Sequence, residues 1–301
     1  WFDAERIARQ ALHGVLNQAY LGDALPIANP NLGPEIFSAF FGCELDFGER
    51  TSWSIPNLTD WDEVDAVRFS GDNAFWKRMN EMTDTFLAIG RNHFYTGITD
   101  LHPGGDAIAA FRDPQHLAMD MIDCPERVQA LLERVNEGFF RVYTHFADKL
   151  TAAGQAITCW AGIVSTKRWY VPSNDFSCML STEMFDQVFL PGIAEECRFL
   201  EASIYHLDGP GALQHLDSLL AIPDLDAIQW VYGAGNGRAT DWLDVYRRCQ
   251  DAGKGVQIHA GVDELDTLID ALRPEGVWLG VGVPDRDAAD AVLKKVAAWT
   301  R

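Results

Sequence analysis

The second half of the chain alternates apolar runs with helical patterns at short intervals, and this repeat constrains the fold more than any other feature. Apolar runs of four or five residues predict buried strands, and apolar residues three or four apart predict helices. The predicted segments are a helix over 212–221, a strand over 227–231, a helix from an N-cap at Thr240 to Gly253, a strand over 256–259, a helix over 263–272, a strand over 277–281 and a helix after Pro284. Repeated strand–helix units of this kind build parallel sheets.

The first half carries the same alternation less regularly. Its clearest helix follows Pro125, where one apolar stripe runs from Val128 to Leu150 and Gly154 ends it. The other predicted elements are strands over 25–28, 94–98, 156–160 and 169–171, and a hairpin over 43–54 with its turn at 46–49. No linker divides the 301 residues. We therefore predict an α/β fold: a single (β/α)8 TIM barrel over residues 1–301 with an inserted N-terminal hairpin.

The composition of the chain and its first residue limit the class of protein to which it can belong. The net charge of −20 argues against sequence-independent nucleic-acid binding, which needs a basic face. No apolar run approaches the roughly 18 residues of a membrane span. The six cysteines are widely spaced, which is typical of reduced thiols in a cytoplasmic protein. Because the chain begins with Trp1 rather than Met, we expect a further N-terminal segment.

The segment Ser203–Gly211 carries the clearest candidate site. Ile204 and Leu207 predict a buried strand that Gly209 ends, and His206 and Asp208 share one face of it because they are two residues apart. A histidine and a carboxylate at the carboxyl end of a strand are placed as active-site residues usually are in α/β enzymes. A hydrogen-bonded core pair is the other interpretation, and the segment alone does not separate the two.

Other polar and aromatic residues follow the predicted strands. The histidines and carboxylates at these exits are enough for a metal site or an acid–base pair: Asp100, His102, Asp175, His206, Asp208 and His259. The aromatic residues are enough for a flat apolar wall: Trp53, Trp160, Trp169, Trp230 and Tyr232. Structural interpretations stay open as well, since tryptophans often cover a barrel core, His102 suits a loop, and His259 suits an ordinary polar strand position.

Several segments match a known pattern along most of the chain. They are Asn31–Pro34, Thr51–Trp53, Gly97–Asp100, Gly105–Asp106, Asp175–Phe176, Leu180–Phe185, Leu190–Pro191 and Tyr205–Gly209. Together they resemble the uroporphyrinogen decarboxylase superfamily, which includes the decarboxylase and the methyltransferases that move methyl groups between corrinoid proteins and thiols such as coenzyme M. The resemblance implies a barrel with the active site in its mouth and a catalytic aspartate at Asp100.

Two departures from the superfamily pattern concern the chemistry. The zinc methyltransferases carry His-x-Cys-Gly on the fifth strand and another cysteine near the last strand, whereas here Asp208 replaces the first cysteine and 279–283 offers none. His206, Asp208 and His259 could still bind zinc, since two histidines and a carboxylate form an open catalytic set. Another divalent metal, or no metal, is the alternative.

The second departure is the missing N-terminal arginine motif with which the decarboxylase binds substrate carboxylates. Lys167, Arg168 and Arg238 are the basic residues near the predicted mouth, and we assign Arg168 to substrate binding. Three cationic side chains are too few to balance the charge of a substrate with eight carboxylates.

These observations predict a methyltransferase-like enzyme acting on a small-molecule substrate held against Trp160, Trp169 and Trp230. His206, Asp208 and His259 would bind the metal, Asp100 would orient the substrate or act as general acid, and a corrinoid protein would be the partner. An aromatic wall suits a methylammonium or methoxy-aromatic methyl donor.

Two other functions stay open. One is decarboxylation without a metal, in which Asp100 stabilises the protonated intermediate. The other is hydrolysis of a sugar-like substrate, with Asp100 and Asp208 as the acid–base pair.

Overall fold

Strands and helices alternate along residues 1–300, the part of the chain that the computed structural model describes. The strands are β1 (Ile27–Ala28), β2 (Glu44–Phe47), β3 (Ser52–Ile55), β4 (Tyr95–Thr96), β5 (Ile157–Thr158), β6 (Val164–Ser165), β7 (Trp169–Tyr170), β8 (Ala202–Asp208), β9 (Ala227–Val231), β10 (Gly255–Ala260) and β11 (Val277–Val281). The helices are α1 (Ala4–Leu16), α2 (Ile36–Ala39), α3 (Ala74–Ile89), α4 (Gly104–Arg112), α5 (Pro114–Asp123), α6 (Pro125–Ala152), α7 (Thr182–Met184), α8 (Leu190–Phe199), α9 (Leu216–Leu220), α10 (Leu243–Asp251), α11 (Leu265–Ala271) and α12 (Arg286–Trp299).

Five parallel strands form the main sheet, in the order β7-β8-β9-β10-β11. Strands that follow one another in the chain are therefore neighbours in the sheet, as strand–helix–strand repeats require. The register pairs His206 with Gln229 and His259 with Gly280. The sheet is curled into a half-barrel, so the carboxyl ends of its strands lie along one curved rim.

The first half of the chain contributes shorter strands. β1 pairs in parallel with β4. The backbone N–H of Ile98 donates to the carbonyl of Thr158 at 2.8 Å, which joins this ladder to β5. β5 pairs antiparallel with β6. No ladder within residues 1–300 joins β11 to β1, so the closed ring of eight strands stays a prediction.

Local sequence signals explain most element boundaries. The predicted hairpin is confirmed as β2 and β3, although its turn lies at Gly48–Thr51, two residues later than predicted. α6 begins at Pro125 as predicted, because the fixed φ of proline suits the first helical position. The N-cap at Thr240 is wrong: Thr240 lies inside a short 3-10 helix, where its N–H and hydroxyl donate to Glu264, and α10 begins at Leu243.

The core lies between the sheet and the surrounding helices. The apolar stripe of α6 is buried along its length, as its spacing predicts. Gly138 in this stripe lets the ring of Phe41 approach the helix backbone, because a side chain at position 138 would overlap that ring. None of the helices in residues 1–300 is both long and apolar enough to span a membrane.

Candidate functional site

Three side chains with metal-ligand chemistry meet at the rim of the main sheet. His206 and Asp208 lie on one face of β8, and Asp175 begins the 3-10 helix Asp175–Met179 that follows β7. One ligand atom from each residue lies within 4.8 Å of the others, and His206 Nε2 is 4.0 Å from Asp175 Oδ1. β7 and β8 run in parallel, so the exits from both strands meet at the same end of the sheet.

A chain of hydrogen bonds across three strands orients the His206 ring. Gln257 Nε2 donates to the carbonyl of Ala161 at 2.8 Å, and Gln229 Nε2 donates to Gln257 Oε1 at 2.9 Å. His206 Nδ1 is 2.5 Å from Gln229 Oε1. Because the carbonyl of Ala161 can only accept, each donor and acceptor along this Gln229–Gln257 chain is fixed in turn. Nδ1 of His206 therefore carries a proton, and Nε2 is the nitrogen that faces Asp175.

The cluster formed by Asp175, His206 and Asp208 suits a divalent metal. A metal-ligating histidine usually donates its other ring N–H to an oxygen, as His206 does here. Asp175 Oδ1 is buried and has no hydrogen-bond partner in the described part of the chain. At bond lengths of about 2.1 Å, two ligands of a tetrahedral ion lie about 3.4 Å apart, so His206 Nε2 and Asp175 Oδ1, at 4.0 Å, would have to move closer together to hold one. One nitrogen and two carboxylate oxygens fit zinc or a harder metal.

A second group lies beside this cluster and is built around His102. Its Nε2 is 3.1 Å from Asp100 Oδ1, and its Nδ1 is 3.7 Å from Asp106 Oδ2. Burial alone would lower the pKa of His102, but the charges and hydrogen bonds of Asp100 and Asp106 outweigh burial and raise this pKa well above its ordinary value. His102 is therefore an imidazolium held between two carboxylates.

The protonation of His102 argues against a metal in this second group. Ligand atoms of His102, Asp106 and Asp175 do lie within 4.8 Å of one another. A protonated ring, however, has no lone pair to offer. Asp106 is also engaged elsewhere, because it accepts from the Ser173 hydroxyl at 3.2 Å and from the Phe176 N–H at 2.9 Å.

Negative charge exceeds positive charge at this rim. The carboxylates are those of Asp100, Asp106, Asp175 and Asp208. Burial raises the pKa of Asp175 to about 6, and the charge of Asp106 adds to this effect while His102 and His206 oppose it. A site with this balance favours a bound cation over an anion.

Trp160 lies at the cluster, where we predicted a substrate-binding residue. Its ring stands edge-on to that of His206, with the centroids 5.4 Å apart and the planes at 89°. The side chain is half-buried and covers one side of the imidazole. Trp160 thus supplies an apolar surface beside a polar cluster.

Arg168 and Trp169, which we predicted to bind substrate, lie at the opposite end of β7 from the cluster. Trp169 is the first residue of β7, is 2% exposed, and donates from Nε1 to the carbonyl of Ile157. The guanidinium of Arg168 lies 4.6 Å from the ring centroid of Phe199. The chain reaches the rim only further on, near Asp175, because the backbone continues beside β8 for several residues after Trp169.

Trp230 and Tyr232 face away from the cluster, contrary to the predicted aromatic wall. Gln229 points towards His206, so Trp230, one residue later, points to the other face of the sheet. There Trp230 packs against Trp242 with centroids 5.1 Å apart, and Tyr232 stacks on the same indole at 6.3 Å. Of the predicted wall, Trp160 is the residue that contacts the cluster.

Trp53 and His259 also lie apart from the cluster. Trp53 is 56% exposed on β3 and lies against Gly48 of its own hairpin. His259 is exposed on β10, beside Gly280 of β11, and it belongs to neither ligand group among the described residues. The structure thus groups His206 and Asp208 with Asp175 rather than with His259.

The sequence contained signals for the residues that were not assigned to the site. Asp175 stands at a strand exit and in a matched segment, although it was not chosen as a ligand. Gln229 and Gln257 are polar residues in the middle of apolar strands, a pattern that indicates a buried polar contact. Asp106 also falls in a matched segment, but only the structure shows that it anchors His102.

Comparison with known proteins supports the fold. Neither the models of protein families nor the curated proteins provide a match to this chain. Among solved structures, the chain is similar to a methyltransferase from Methanosarcina mazei, with a TM-score of 0.61 and 12% sequence identity over 100% of this chain and 87% of that chain. At this identity the likeness establishes a shared fold and leaves the activity to be argued from the site.

Proposed function

We propose that this protein is a methyltransferase-like enzyme of the uroporphyrinogen decarboxylase superfamily that acts on a small-molecule substrate with the help of a divalent metal. The observation that carries the proposal is the cluster of Asp175, His206 and Asp208, in which the ligand atoms lie within 4.8 Å of one another. The structural similarity to the Methanosarcina mazei methyltransferase supports the same conclusion at the level of the fold. The fold we propose is one (β/α)8 domain over residues 1–301.

The charge of the site favours methyl transfer over decarboxylation. A decarboxylase of this superfamily binds a substrate with many carboxylates, and cationic side chains must balance them. Here the rim carries Asp100, Asp106, Asp175 and Asp208, and Arg168 lies at the far end of β7. The same excess of negative charge suits a metal ion and a methylammonium donor. A methoxy-aromatic donor is less suitable, because Trp160 is the one residue of the predicted aromatic wall at the cluster on which it could stack.

Each residue of the site has a different role in the proposed reaction. His206 presents Nε2, and the Gln229–Gln257 chain holds its ring in place. His102 keeps a proton beside the cluster, where Asp100 accepts its hydrogen bond. Trp160 covers the imidazole of His206 and limits the access of water. When bound, the metal would supply Lewis acidity that activates an acceptor thiol or the methyl donor.

The partners and location follow from the same proposal. A corrinoid protein docking at the rim would deliver or accept the methyl group. The cysteines are all free, which suits a reducing compartment such as the cytoplasm.

Metal analysis of the purified protein tests the proposal. We expect one divalent metal per chain in the wild type, its loss in Asp208→Asn, and its retention in His259→Ala, the matched control on β10. Methyl transfer is then followed as the loss of methylcobalamin absorbance in the presence of a thiol. Absence of metal from a folded wild-type protein, or full retention in Asp208→Asn, would contradict the proposed site.

A further inference from the structure

A single buried hydroxyl is bonded to the backbone on both sides of Asp100. Tyr170 of β7 donates from this hydroxyl to the carbonyl of Thr99 at 2.8 Å and accepts from the N–H of Leu101 at 2.7 Å. The tyrosine is 0% exposed, so bulk water does not compete for the two bonds. We call this pair of hydrogen bonds the Tyr170 clamp.

The Tyr170 clamp lies where the regular pairing of the backbone has ended. After β4, the N–H of Ile98 still donates to the carbonyl of Thr158. Residues 99–103 belong to no helix or strand, and α4 begins at Gly104. Irregular segments are more mobile than the elements they connect unless other contacts hold their backbone groups. In the described part of the chain, Tyr170 supplies that contact between Ile98 and α4.

The two bonds hold both peptide planes that flank Asp100. The carbonyl of Thr99 belongs to the peptide group before Asp100, and the N–H of Leu101 belongs to the peptide group after it. The φ and ψ angles of Asp100 are the soft dihedrals between these two planes, so holding the planes restricts both angles. The direction of its Cα–Cβ bond is restricted in turn, and with it the space that the carboxylate can reach.

The hydroxyl can make both bonds only while it keeps its proton. Burial raises the pKa of Tyr170 well above its ordinary value, and the charge of Asp100 adds to this effect. A neutral phenol has one donor and acceptor lone pairs, which match one carbonyl and one N–H. Phenylalanine would fill the same space but leave both backbone groups without this partner.

The carboxylate that the Tyr170 clamp places is the partner of His102. His102 Nε2 donates to Asp100 Oδ1 at 3.1 Å, and the two side chains are 16% and 21% exposed. The backbone that follows Tyr170 leads directly to Asp175, the ligand that begins the next 3-10 helix. Tyr170 therefore joins the segment that carries the Asp100–His102 pair to the segment that carries Asp175.

We propose that Tyr170 is a positioning residue that holds the carboxylate of Asp100 against His102, beside the candidate metal cluster. Tyr170 acts through Asp100, because it is buried too deeply to contact a substrate itself. The part that Asp100 plays in methyl transfer rests on the proposed function. The arrangement of Tyr170, Asp100 and His102 does not, and the experiment measures that arrangement.

Tyr170→Phe tests the proposal, with Tyr143→Phe as the matched control. Tyr143 is also 0% exposed, its ring centroid lies 5.7 Å from that of Tyr170, and its hydroxyl donates to the carbonyl of Trp169. Both substitutions remove a buried hydroxyl from the same part of the core, and both should lower the free energy of unfolding. Only Tyr170→Phe should release the backbone around Asp100.

NMR of the histidine rings in isotope-labelled protein measures the effect. The proton on His102 Nε2 is assigned by its loss in His102→Gln, and it should exchange slowly with water in the wild type because Asp100 accepts from it. In Tyr170→Phe this exchange should be on the order of tenfold faster or more, since Asp100 is no longer held beside the ring. In Tyr143→Phe the exchange rate should match that of the wild type.

These spectra require neither a bound metal nor methyl transfer, so a failure of the proposed function leaves the test valid. An equal exchange rate of the His102 proton in Tyr170→Phe and in the wild type would overturn the proposal. An equal acceleration in Tyr143→Phe would overturn it as well, because the effect would then follow from general loss of core packing. If Tyr170→Phe does not fold, the wild type decides. Its Leu101 N–H should be strongly protected from hydrogen exchange, and exchange at the rate of an unprotected loop amide would contradict the Tyr170 clamp.

Discussion

Replacing Gln229 with methionine tests whether the hydrogen-bond chain prepares His206 to bind a metal. Methionine has a similar length and flexibility but no strong acceptor. The substitution removes the acceptor for His206 Nδ1 and the donor to Gln257 Oε1. His206 would then be free to rotate and to place its proton on either nitrogen.

The substitution should lower both the affinity for the metal and the free energy of unfolding. Loss of an outer partner of a metal-ligating histidine typically lowers metal affinity 10–100-fold, or about 1.4–2.7 kcal/mol. The free energy of unfolding falls as well, by about 1–3 kcal/mol for each buried group left unpaired. Gln257 Oε1 is the group most affected, because Gln257 is 2% exposed and buried beyond the reach of water.

Competition with a chromophoric zinc chelator measures the affinity, and Gln250→Met is the matched control. Gln250 is 7% exposed, and it loses two hydrogen bonds, to the N–H and the carbonyl of Arg273, when replaced. The Gln250→Met variant should therefore lose stability in the same way as Gln229→Met. Residue 250 lies on α10, away from His206. We expect both variants to be destabilised but only Gln229→Met to bind zinc more weakly.

Equal zinc affinity in the wild type and Gln229→Met would refute the reasoning. The same holds if Gln250→Met weakens zinc binding as much as Gln229→Met, because the effect would then follow from general destabilisation.

Two further predictions concern the core and a buried ion pair. Gly138→Ala should lower the free energy of unfolding by about 1–3 kcal/mol, because the added methyl group meets the ring of Phe41; denaturant unfolding measures this, and an unchanged midpoint would contradict the close packing. Burial would raise the pKa of Asp120, but the hydrogen bonds and charge of Arg112 outweigh it and hold this pKa below its ordinary value. A lowered pKa stabilises the fold above the unfolded-state value of about 4, and this stabilisation is lost as the pH falls. The difference in Tm between the wild type and Asp120→Asn should therefore be largest near neutral pH and shrink towards pH 3.

Features set by short-range pattern were predictable from the sequence. The shared face of His206 and Asp208 follows from strand alternation, and α6 follows from its apolar stripe between Pro125 and Gly154. The strand over Val277–Val281 has the predicted bounds. In each case the determining contacts lie within a few residues of one another.

Features that depend on register and on the path of loops were not predictable in the same way. Trp230 was expected at the rim because it stands near a strand end, but the pairing of His206 with Gln229 turns Trp230 to the other face. Arg168 and Trp169 were expected near the end of a strand. β7 has only two residues, so no periodic pattern in the sequence shows where it begins and ends. Asp175 joins the ligands through the segment after β7, and no periodic signal shows where that segment turns.

The Gln229–Gln257 chain also bears on whether the strands enclose one interior. Gln257 on β10 donates to the carbonyl of Ala161, which follows β5 and lies outside the five-stranded sheet. This bond spans 96 residues of sequence and joins the two halves of the chain through the space that the curled sheet partly surrounds. The proton on His206 Nδ1 follows from that bond, because the carbonyl of Ala161 sets the direction of every donor in the chain. The metal site proposed at His206 therefore depends on the contact between Gln257 and Ala161 from the first half of the chain. This contact does not require a ladder between β11 and β1.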